Sequence, residues 1–488
     1  MNALQRFLEP RKQRFIGYYA ELRIIIFLIL IGLFTLSLPY LNRNVDSLIG
    51  EDSYYNYRIA NDIVNKHTLP SYDYLSFSGR TYVFSLTPLI LLIFSKALGS
   101  LILTARLLPI LLGLLVIALF YLILKKSEIN NTIKILSCII LILSPGFTYL
   151  FTTLNDYSLP IVILLGILLL ILYERYRVAI VLSLFIPLFG SIHAFIAAIL
   201  FIFYSSKKGE LKEFKWFFVI VLLILSTLVP LFLYGFSYNF FFRPLDYSYL
   251  KKFLSDLGGN FGFNIFVIFL AVIGLTKLWE EKYKHITIYL SITFLILISL
   301  FEIKSLFYLN FFAVFLASIG LIKLVEIEWE SKLIQYITII IIIAGLIISF
   351  LSHSYLLSIS PPNKEMIDAL EFLKSKDNEG VVFSYYSNGI LINSLANKKN
   401  IMDSNFLYAP DLKGRYENSN EMLFTRDIEN ATRIINKYDI RYILIDKDME
   451  EKLWGGEEEG LLFLTRYSKR FNLTYYNDFT TILEVNKE

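Results

Sequence analysis

Two acidic residues that follow long apolar segments are the side chains of this chain best suited to chemistry. Asp52 comes about a dozen residues after the apolar stretch 22–40, and Asp156 comes shortly after the apolar stretch 132–151. Carboxylates bind hard divalent cations, and such cations bridge and neutralise phosphate oxygens. If both stretches end on the same side of a membrane, the two residues predict divalent-metal or phosphate chemistry on a lipid-linked substrate.

Each of these acids is weak evidence when it is taken alone. Asp52 lies in a segment, 41–82, that is rich in acids and tyrosines. It can be a metal ligand, a base beside a phosphate leaving group, or part of an ordinary solvated loop. An acid such as Asp156 at the end of an apolar stretch is common. The prediction of a site therefore depends on the two acids sharing one membrane face.

Cationic side chains on the same face are the second requirement, because a lipid phosphate or diphosphate needs Arg or Lys at the interface. Arg243 stands next to three phenylalanines, and Lys304 follows Glu302 in a very short turn between two apolar stretches. These two are the preferred phosphate contacts, with Arg58, Arg80 and Arg106 as further candidates. The common alternative is an interfacial cation whose stem lies on apolar surface while its charge reaches water.

His193 is the one histidine placed near the same face, close to Gly190 and Ser191. It can be a general base or a substrate contact, although a histidine in such a place is more often hydrogen-bonded within a helix bundle. His67, His285 and His353 are too scattered along the chain to predict a metal site.

The composition predicts a polytopic α-helical membrane protein. Of 488 residues, 56% are hydrophobic and 18% are charged, and the mean hydropathy is +0.58. Ordinary soluble domains have about 25% charged residues, and a crossing helix needs about 20 apolar ones. The net charge of +4 gives no indication of a nucleic-acid partner. The single cysteine, Cys138, excludes an intramolecular disulfide and a thiolate metal cluster.

The distribution of basic residues predicts the topology. Arg11-Lys12-Gln13-Arg14 precedes the first apolar stretch, so residues 1–21 are expected in the cytoplasm, according to the positive-inside rule. Eleven crossings then place the short basic loops inside, the acidic loops outside and the C-terminus outside. The predicted crossings are 22–40, 103–124, 132–151, 158–173, 177–190, 191–205, 216–236, 262–278, 285–301, 304–323 and 333–355.

The apolar segment 83–99 is predicted not to cross, because a crossing there would divide the acidic loops between the two sides. We expect an outer surface helix or a re-entrant helix, which is tolerated only where it is buried against protein. The predicted membrane domain covers 22–357, with a large first outer loop over 41–102.

Pro361-Pro362 marks the start of a more polar region, predicted to be an extracytoplasmic α/β domain over 358–488. Its periodicity predicts a helix near 363–376, a strand near 380–385 and a helix near 427–438. Two further strands are predicted at Arg441–Asp446 and Thr480–Val485.

The order of these features resembles the catalytic subunit of oligosaccharyltransferase of archaeal type, a member of the GT-C class of membrane glycosyltransferases. Asp52 to Arg58 is similar to the family's first-loop motif, an Asp followed by aromatic-Asn-Tyr-Arg. The segment 144–159 is similar to the span that runs into an Asp-Asn-Glu motif. Tyr385 to Gly389 is similar to the WWDYG motif, and Asp403-Ser404-Asn405 to the Ala-Asp-Asn that follows it. The resemblance covers nearly the whole chain.

Two motifs depart from the family pattern. The second acidic motif keeps one carboxylate, Asp156, displaced by one position. In the third motif the two tryptophans are replaced by Tyr385 and Tyr386, and the aspartate is replaced by Ser387.

The resemblance implies a glycosyltransferase of a prokaryotic, archaeal-type plasma membrane. Its donor would be a sugar on polyprenyl or dolichyl phosphate, and its acceptor a protein or glycan at the outer face. Asp52 would act as base or, with Asp156, as ligand to Mg or Mn. The implied substrate and phosphate contacts are Arg58, Arg243, Lys304 and His193, and the implied acceptor contacts are Tyr385, Tyr386 and Asn388.

Three other functions stay open at this point. One is oligosaccharyltransferase activity on Asn sequons, and another is a non-catalytic relative that binds lipid-linked glycans. A transporter is less favoured, because charges inside a membrane are usually functional and the predicted crossings have almost none.

Overall fold

The computed structural model describes residues 3–43, 47–82, 85–204, 214–234, 252–259, 261–376, 380–456 and 458–486. Its first part contains fourteen described α-helices, short 3₁₀ helices and one short hairpin. The helices are α1 (Ala3–Leu41), α2 (Glu51–Lys66), α3 (Thr87–Leu98), α4 (Leu101–Lys126), α5 (Asn131–Ile142), α6 (Pro145–Thr152), α7 (Ser158–Leu172), α8 (Tyr176–Ser183), α9 (Ser191–Tyr204), α10 (Phe214–Tyr234), α11 (Ile265–Trp279), α12 (Ile286–Ser299), α13 (Leu306–Glu326) and α14 (Lys332–Ile359). The hairpin pairs β1 (Tyr72–Asp73) with β2 (Arg80–Thr81).

Several of these helices can cross a membrane by length and composition. Four described stretches qualify alone, and they are Glu21–Leu41, Leu101–Lys126, Ile303–Glu326 and Lys332–Ser375. The bent pair of α5 and α6 gives a fifth, and seven further apolar helices have 10–17 residues. Helices shorter than about 20 residues span a hydrocarbon core poorly, so the count of eleven crossings stays a prediction.

The predicted crossing 132–151 is broken in the structure. α5 and α6 meet at an angle of 60°, because Ser144 adopts an extended backbone ahead of Pro145. A residue before proline is disfavoured in the helical region, and proline itself is favoured in the first turn of a helix. The Ser144 hydroxyl exchanges hydrogen bonds with the Asn310 amide on α13, at 2.8–3.0 Å. The break therefore directs α6, which is buried throughout, toward Asp156.

The helix in segment 83–99 is α3, with 12 residues. At a rise of 1.5 Å per residue such a helix is about 18 Å long, which is too short for a crossing. It ends at Gly99, whose φ of +74° allows the chain to reverse directly into α4.

The C-terminal part contains a mixed sheet flanked by helices. Its elements are α15 (Lys364–Ser375), β3 (Val381–Phe383), α16 (Tyr386–Leu391), β4 (Lys399–Asn400), α17 (Leu412–Phe424), α18 (Ile428–Tyr438), β5 (Ile440–Asp446), α19 (Lys447–Leu453), α20 (Gly460–Tyr467), β6 (Phe471–Tyr476) and β7 (Thr480–Val485). The strands are ordered β4-β3-β5-β7-β6, with β3 parallel to β4 and β5, and with β7 antiparallel to β5 and β6. The helices predicted near 363–376 and 427–438 are confirmed as α15 and α18, and the three predicted strands as β3, β5 and β7.

An apolar cluster joins the first loop to this C-terminal part. Tyr55 and Ile59 on α2 belong to the same buried cluster as Leu370 on α15 and Ile390 on α16. The cluster fixes α2 beneath the sheet, and α2 begins with the predicted acidic motif.

A buried ion network, Arg58–Asp73–Arg80–Asp403, joins the same two parts. Arg58 donates two hydrogen bonds to the Asp73 carboxylate, at 2.8 and 3.1 Å. Arg80 donates to Asp73 at 3.0 Å and to both oxygens of Asp403 at 2.7 and 2.8 Å. Burial alone raises the pKa of Asp73, but the two guanidinium groups hold it below its ordinary value. The network therefore ties the hairpin β1–β2 and α2 to the loop that follows β4.

Candidate active site

A cavity of about 620 Å³ lies between the first loop and the C-terminal part. Both parts of the chain contribute charged and polar side chains to its wall. The lining residues include Ile49, Gly50, Glu51, Asp52, Tyr149, Phe261, Lys304, Leu356, Leu357, Ser360 and Pro361 from the first part, and Tyr385, Ser387, Asn388, Leu391, Ser404, Asp446, Asp448, Met449, Lys452 and Leu453 from the second.

The backbone at Gly50 positions Asp52 in this wall. Gly50 has φ +78° and ψ 149°, a conformation that side chains rarely adopt, and a Cβ there would stand 3.1 Å from Cγ2 of Thr153. α2 begins at the next residue, so Asp52 lies in its first turn. The exposed N–H groups of that turn favour a negative charge. Glycine at this position therefore allows the sharp entry into α2 that presents Asp52 to the cavity.

Asp52 and Lys304 form an ion pair in the cavity wall. The Lys304 ammonium donates to Oδ2 of Asp52 at 2.8 Å, across 252 positions of sequence. The two side chains are 30% and 29% exposed, so the pair is accessible from the cavity. Lys304 reaches Asp52 from a single turn of 3₁₀ helix, Ile303–Ser305, between α12 and α13. The structure thus brings together an acid and a cation that the sequence places on the same membrane face.

Asp156 lies directly beside the first turns of α2. Its Oδ1 accepts hydrogen bonds from the Ser85 hydroxyl at 2.6 Å and from the Asn56 amide at 3.3 Å. Asn56 is one helical turn beyond Asp52. Burial raises the pKa of Asp156, the Ser85 hydrogen bond opposes that shift, and the negative charge of Asp52 adds to it. The two predicted acids therefore share one site, with Asp52 in the cavity wall and Asp156 behind it.

Asn155, the neighbour of Asp156, uses its side-chain amide in hydrogen bonds to the backbone. Its amide donates to the carbonyl of Leu150 at 2.8 Å, and its Oδ1 accepts from the backbone of Tyr157 at 2.8 Å and of Ser158 at 3.1 Å. These bonds link the end of α6 to the start of α7. Asn155 holds the loop of Asp156 in place and has no hydrogen-bonding capacity left for a ligand.

Glu51 is a site residue that the sequence reasoning missed. Its carboxylate lines the cavity and accepts a hydrogen bond at 2.5 Å from Ser404 of the C-terminal part. Burial raises the pKa of Glu51 to about 8. The Ser404 hydrogen bond opposes this shift, and the charges of Asp52 and Asp403 support it. The sequence feature that could have identified Glu51 as a site residue is its position directly before Asp52.

The C-terminal wall contains two of the three predicted acceptor residues. Tyr385 and Asn388 line the cavity, and the Asn388 amide donates to Oδ2 of Asp446 at 2.6 Å. Tyr386 packs against Tyr385, with ring centroids 4.3 Å apart, and it is not among the described lining residues.

Asp446, Asp448 and Lys452 were also missed by the sequence reasoning. Asp446 ends strand β5 and caps α19 by accepting from the backbone of Met449 at 2.7 Å. Burial raises the pKa of Asp446. Asp448 and Lys452 form an ion pair at 2.7 Å. The signal for Asp446 was its place at the carboxyl end of a strand, where open α/β sheets bind ligands.

Two of the predicted substrate contacts, Arg58 and His193, lie away from the cavity wall. Arg58 is buried and directs its guanidinium to Asp73, so the structure gives it an internal partner in place of the predicted phosphate. His193 is buried in α9, where its Nδ1 is hydrogen-bonded to the Tyr308 hydroxyl at 2.5 Å, and its ring packs on Tyr157. This arrangement is the common hydrogen-bonded histidine of a helix bundle. Arg243 lies outside the described residues.

The side chains at the acid pair do not fit a Mg or Mn site. Within the described ranges, no group of three or more His, Cys, Asp and Glu side chains is arranged to hold a metal ion. Asp52 is paired with Lys304, and Asp156 accepts from Asn56 and Ser85.

Solved structures with the same overall fold include an oligosaccharyltransferase and an arabinofuranosyltransferase. Archaeal oligosaccharyltransferase AglB from Archaeoglobus fulgidus, in complex with an inhibitory peptide and a dolichol-phosphate, aligns with a TM-score of 0.61 and 13% identity, over 97% of this chain and 75% of that chain. ArnT from Cupriavidus metallidurans aligns with a TM-score of 0.54 and 11% identity, over 96% of this chain and 98% of that chain. Arabinofuranosyltransferase AftD from Mycobacteria aligns with a TM-score of 0.58 and 12% identity, over 95% of this chain and 40% of that chain.

An Archaeoglobus fulgidus oligosaccharyltransferase in complex with Zn and sulfate aligns with a TM-score of 0.58 and 14% identity, over 94% of this chain and 72% of that chain. No family model matches this chain, and no curated protein matches it in sequence. The chain therefore has the fold of the GT-C membrane glycosyltransferases, shared at low sequence identity.

Proposed function

We propose that this protein transfers a sugar or glycan from a polyprenyl- or dolichyl-phosphate-linked donor to an acceptor at the outer face of the plasma membrane. The observation that carries the proposal is the Asp52–Lys304 pair, which lines the same cavity as Tyr385 and Asn388. One wall thus has the charges suited to a phosphate, and the other has aromatic and amide groups suited to an acceptor.

The comparisons support both halves of this proposal. The AglB structure with the same fold contains a dolichol-phosphate and an inhibitory peptide together. In the topology proposed here, the N-terminus is cytoplasmic and the C-terminal α/β part is outside. The donor then reaches the cavity from the bilayer, while the acceptor enters beneath the C-terminal part.

The reaction breaks the bond between the anomeric carbon and the phosphate oxygen, and forms a bond from that carbon to the acceptor heteroatom. The lipid phosphate leaves, and the acceptor gives up a proton. Asp52 is the proposed base. When Asp52 accepts the proton it becomes neutral, and the Lys304 ammonium is then free to stabilise the charge that develops on the leaving phosphate. A fixed charge aimed at developing charge is usually the largest catalytic contribution.

Other residues have supporting parts in this proposal. Asp156 acts through Asn56, the amide one turn beyond Asp52, and so holds the start of α2 in place. Tyr385 and Asn388 contact the acceptor, and Arg243 is kept as a proposed second phosphate contact. The Mg or Mn ion expected from the family is not used in any step, because the donor set does not fit it.

A transfer assay tests the function. Purified full-length protein is incubated with labelled sugar on polyprenyl phosphate and with candidate glycan or peptide acceptors. We expect transfer by the wild type and by Asp368→Asn, an exposed acid on α15, but a loss of at least a hundredfold in Asp52→Asn. Equal transfer by Asp52→Asn would show that the site lies elsewhere.

The same assay separates the alternatives. Transfer to a sequon peptide would identify an oligosaccharyltransferase. Binding of the lipid-linked donor without transfer to any acceptor would favour a non-catalytic glycan-binding protein. The observation that favours this alternative is that the second acidic motif keeps only one carboxylate, Asp156.

A further inference from the structure

One oxygen atom of each acid, which a divalent cation at this site would use, already has partners from the chain. Oδ2 of Asp52 accepts from the Lys304 ammonium at 2.8 Å, and Oδ1 of Asp156 accepts from Ser85 at 2.6 Å and from Asn56 at 3.3 Å. Asn56 donates from the same Nδ2 to the carbonyl of Leu154, at 3.1 Å.

The second motif has no additional ligand to offer. Asn155 stands beside Asp156, but both ends of its amide are used in backbone contacts with the ends of α6 and α7. Magnesium requires a nearly octahedral set of oxygen ligands. A cation that used Oδ2 of Asp52 and Oδ1 of Asp156 would have to displace the Lys304 ammonium and the Ser85 and Asn56 donors.

The Lys304 ammonium has the charge and the donors to act in place of a cation. An ammonium group has three N–H donors, and Asp52 accepts one of them. The remaining two can donate to phosphate oxygens. The side chain is partly exposed in the cavity wall, so a phosphate in the cavity can approach it.

From this geometry we infer that Lys304, held in position by Asp52, provides the fixed positive charge beside the lipid phosphate and that the site binds this phosphate without a divalent cation. The inference rests on the proposed function for the identity of the phosphate as part of a lipid-linked donor. Asp52 then positions Lys304 before it acts as base, and the ion pair is one functional unit.

Binding of Mn²⁺ and of dolichyl phosphate to the purified full-length protein tests the inference without any need for sugar transfer. Mn²⁺ binding is followed by loss of the free-ion signal in electron paramagnetic resonance, in wild type and Asp52→Asn. We expect the same Mn²⁺ titration curve for both proteins. Neither should have a Mn²⁺ site that depends on Asp52 and has a sub-millimolar dissociation constant. A sub-millimolar Mn²⁺ site that Asp52→Asn removes would overturn the inference.

Dolichyl phosphate binding in nanodiscs is measured with excess chelator and with added Mn²⁺. We expect equal affinity in both conditions and a loss of affinity of at least tenfold in Lys304→Met, because charge-assisted hydrogen bonds are stronger than neutral ones. The affinity of Lys304→Arg, which keeps the positive charge, should return to within about threefold of the wild-type value. Lys96→Met, an exposed lysine on α3, is the matched control and should bind like wild type.

Two results of the lipid arm would overturn the inference: loss of binding on chelation, or no binding in any condition. Lipid binding that depends on Lys304 and ignores the chelator, but with no sugar transfer to any acceptor, would instead uphold the inference and contradict the proposed enzymatic function.

Discussion

Removal of Arg80 should separate the first loop from the C-terminal part. The Arg80 guanidinium is 1% exposed and donates to Asp73 and to both oxygens of Asp403, which are equally buried. In Arg80→Met, Asp73 keeps Arg58, but Asp403 loses its ion-pair partner in the network. Removing one member of a buried ion pair costs about 3–5 kcal/mol, because the remaining charge is left without compensation.

Hydrogen exchange at the contact between these parts measures that cost. The amide of Phe77 donates to the carbonyl of Asn400 at 2.9 Å, and the amide of Asn400 donates to the carbonyl of Leu75 at 3.0 Å. Both amides should be protected only while the hairpin β1–β2 is docked. When exchange occurs through local opening, a loss of 3–5 kcal/mol corresponds to an increase in their exchange rate of about 10²–10⁴-fold.

A matched control is available in the C-terminal part. Arg433 also donates two hydrogen bonds to one carboxylate, Glu421, at 2.8 and 2.9 Å, but this pair is 54% and 37% exposed. Exposed pairs contribute about 0–1 kcal/mol, so Arg433→Met should change exchange at Phe77 and Asn400 very little. If Arg80→Met and Arg433→Met had the same small effect, the buried network would not hold the two parts together.

Two further predictions concern the first turn of α2. Gly50→Ala should lower the thermal unfolding midpoint and reduce sugar transfer, because it strains a backbone with φ +78° and places a Cβ 3.1 Å from Thr153. Gly166→Ala on α7, where a Cβ meets nothing within 4 Å, should leave both unchanged; equal losses in the two variants would contradict this account. Burial raises the pKa of Glu51 from 4.5 to about 8, so the folded protein keeps a proton that the unfolded chain has lost, and stability falls as pH rises through that interval. Glu51→Gln should therefore become more stable relative to wild type between about pH 5 and pH 9, and a difference in unfolding midpoint that does not change with pH would refute the shift.

Local sequence patterns predicted five of the regular elements of the C-terminal part, and β6 and α17 are among those that they did not predict. The alternation around Arg441–Asp446 and Thr480–Val485 predicted β5 and β7, and the apolar spacing near 427–438 predicted α18. These elements depend on residues close in sequence. The break between α5 and α6 was missed because hydropathy averages over Ser144 and Pro145, whose effect is on backbone geometry.

Part of the candidate site was predicted from the distribution of charges between the loops, and not from local periodicity. Asp52 and Lys304 were placed on one membrane face by the charges of the loops, and the structure pairs them directly. The pairing of Arg58 with Asp73 was not predicted, because Asp73 belongs to a short hairpin with no periodic signal. Asp448 and Lys452 contribute to the cavity only because the α/β part folds over α2, and such long-range packing cannot be deduced from local pattern.

The central claim is that the Asp52–Lys304 pair acts on the phosphate of a lipid-linked sugar. Its most direct test is sugar transfer with excess chelator by wild type, Lys304→Met and Lys304→Arg. The account predicts transfer by the wild type, a loss of at least tenfold in Lys304→Met and substantial recovery in Lys304→Arg. Transfer that stops with chelator, or that Lys304→Met performs as well as wild type, would contradict it.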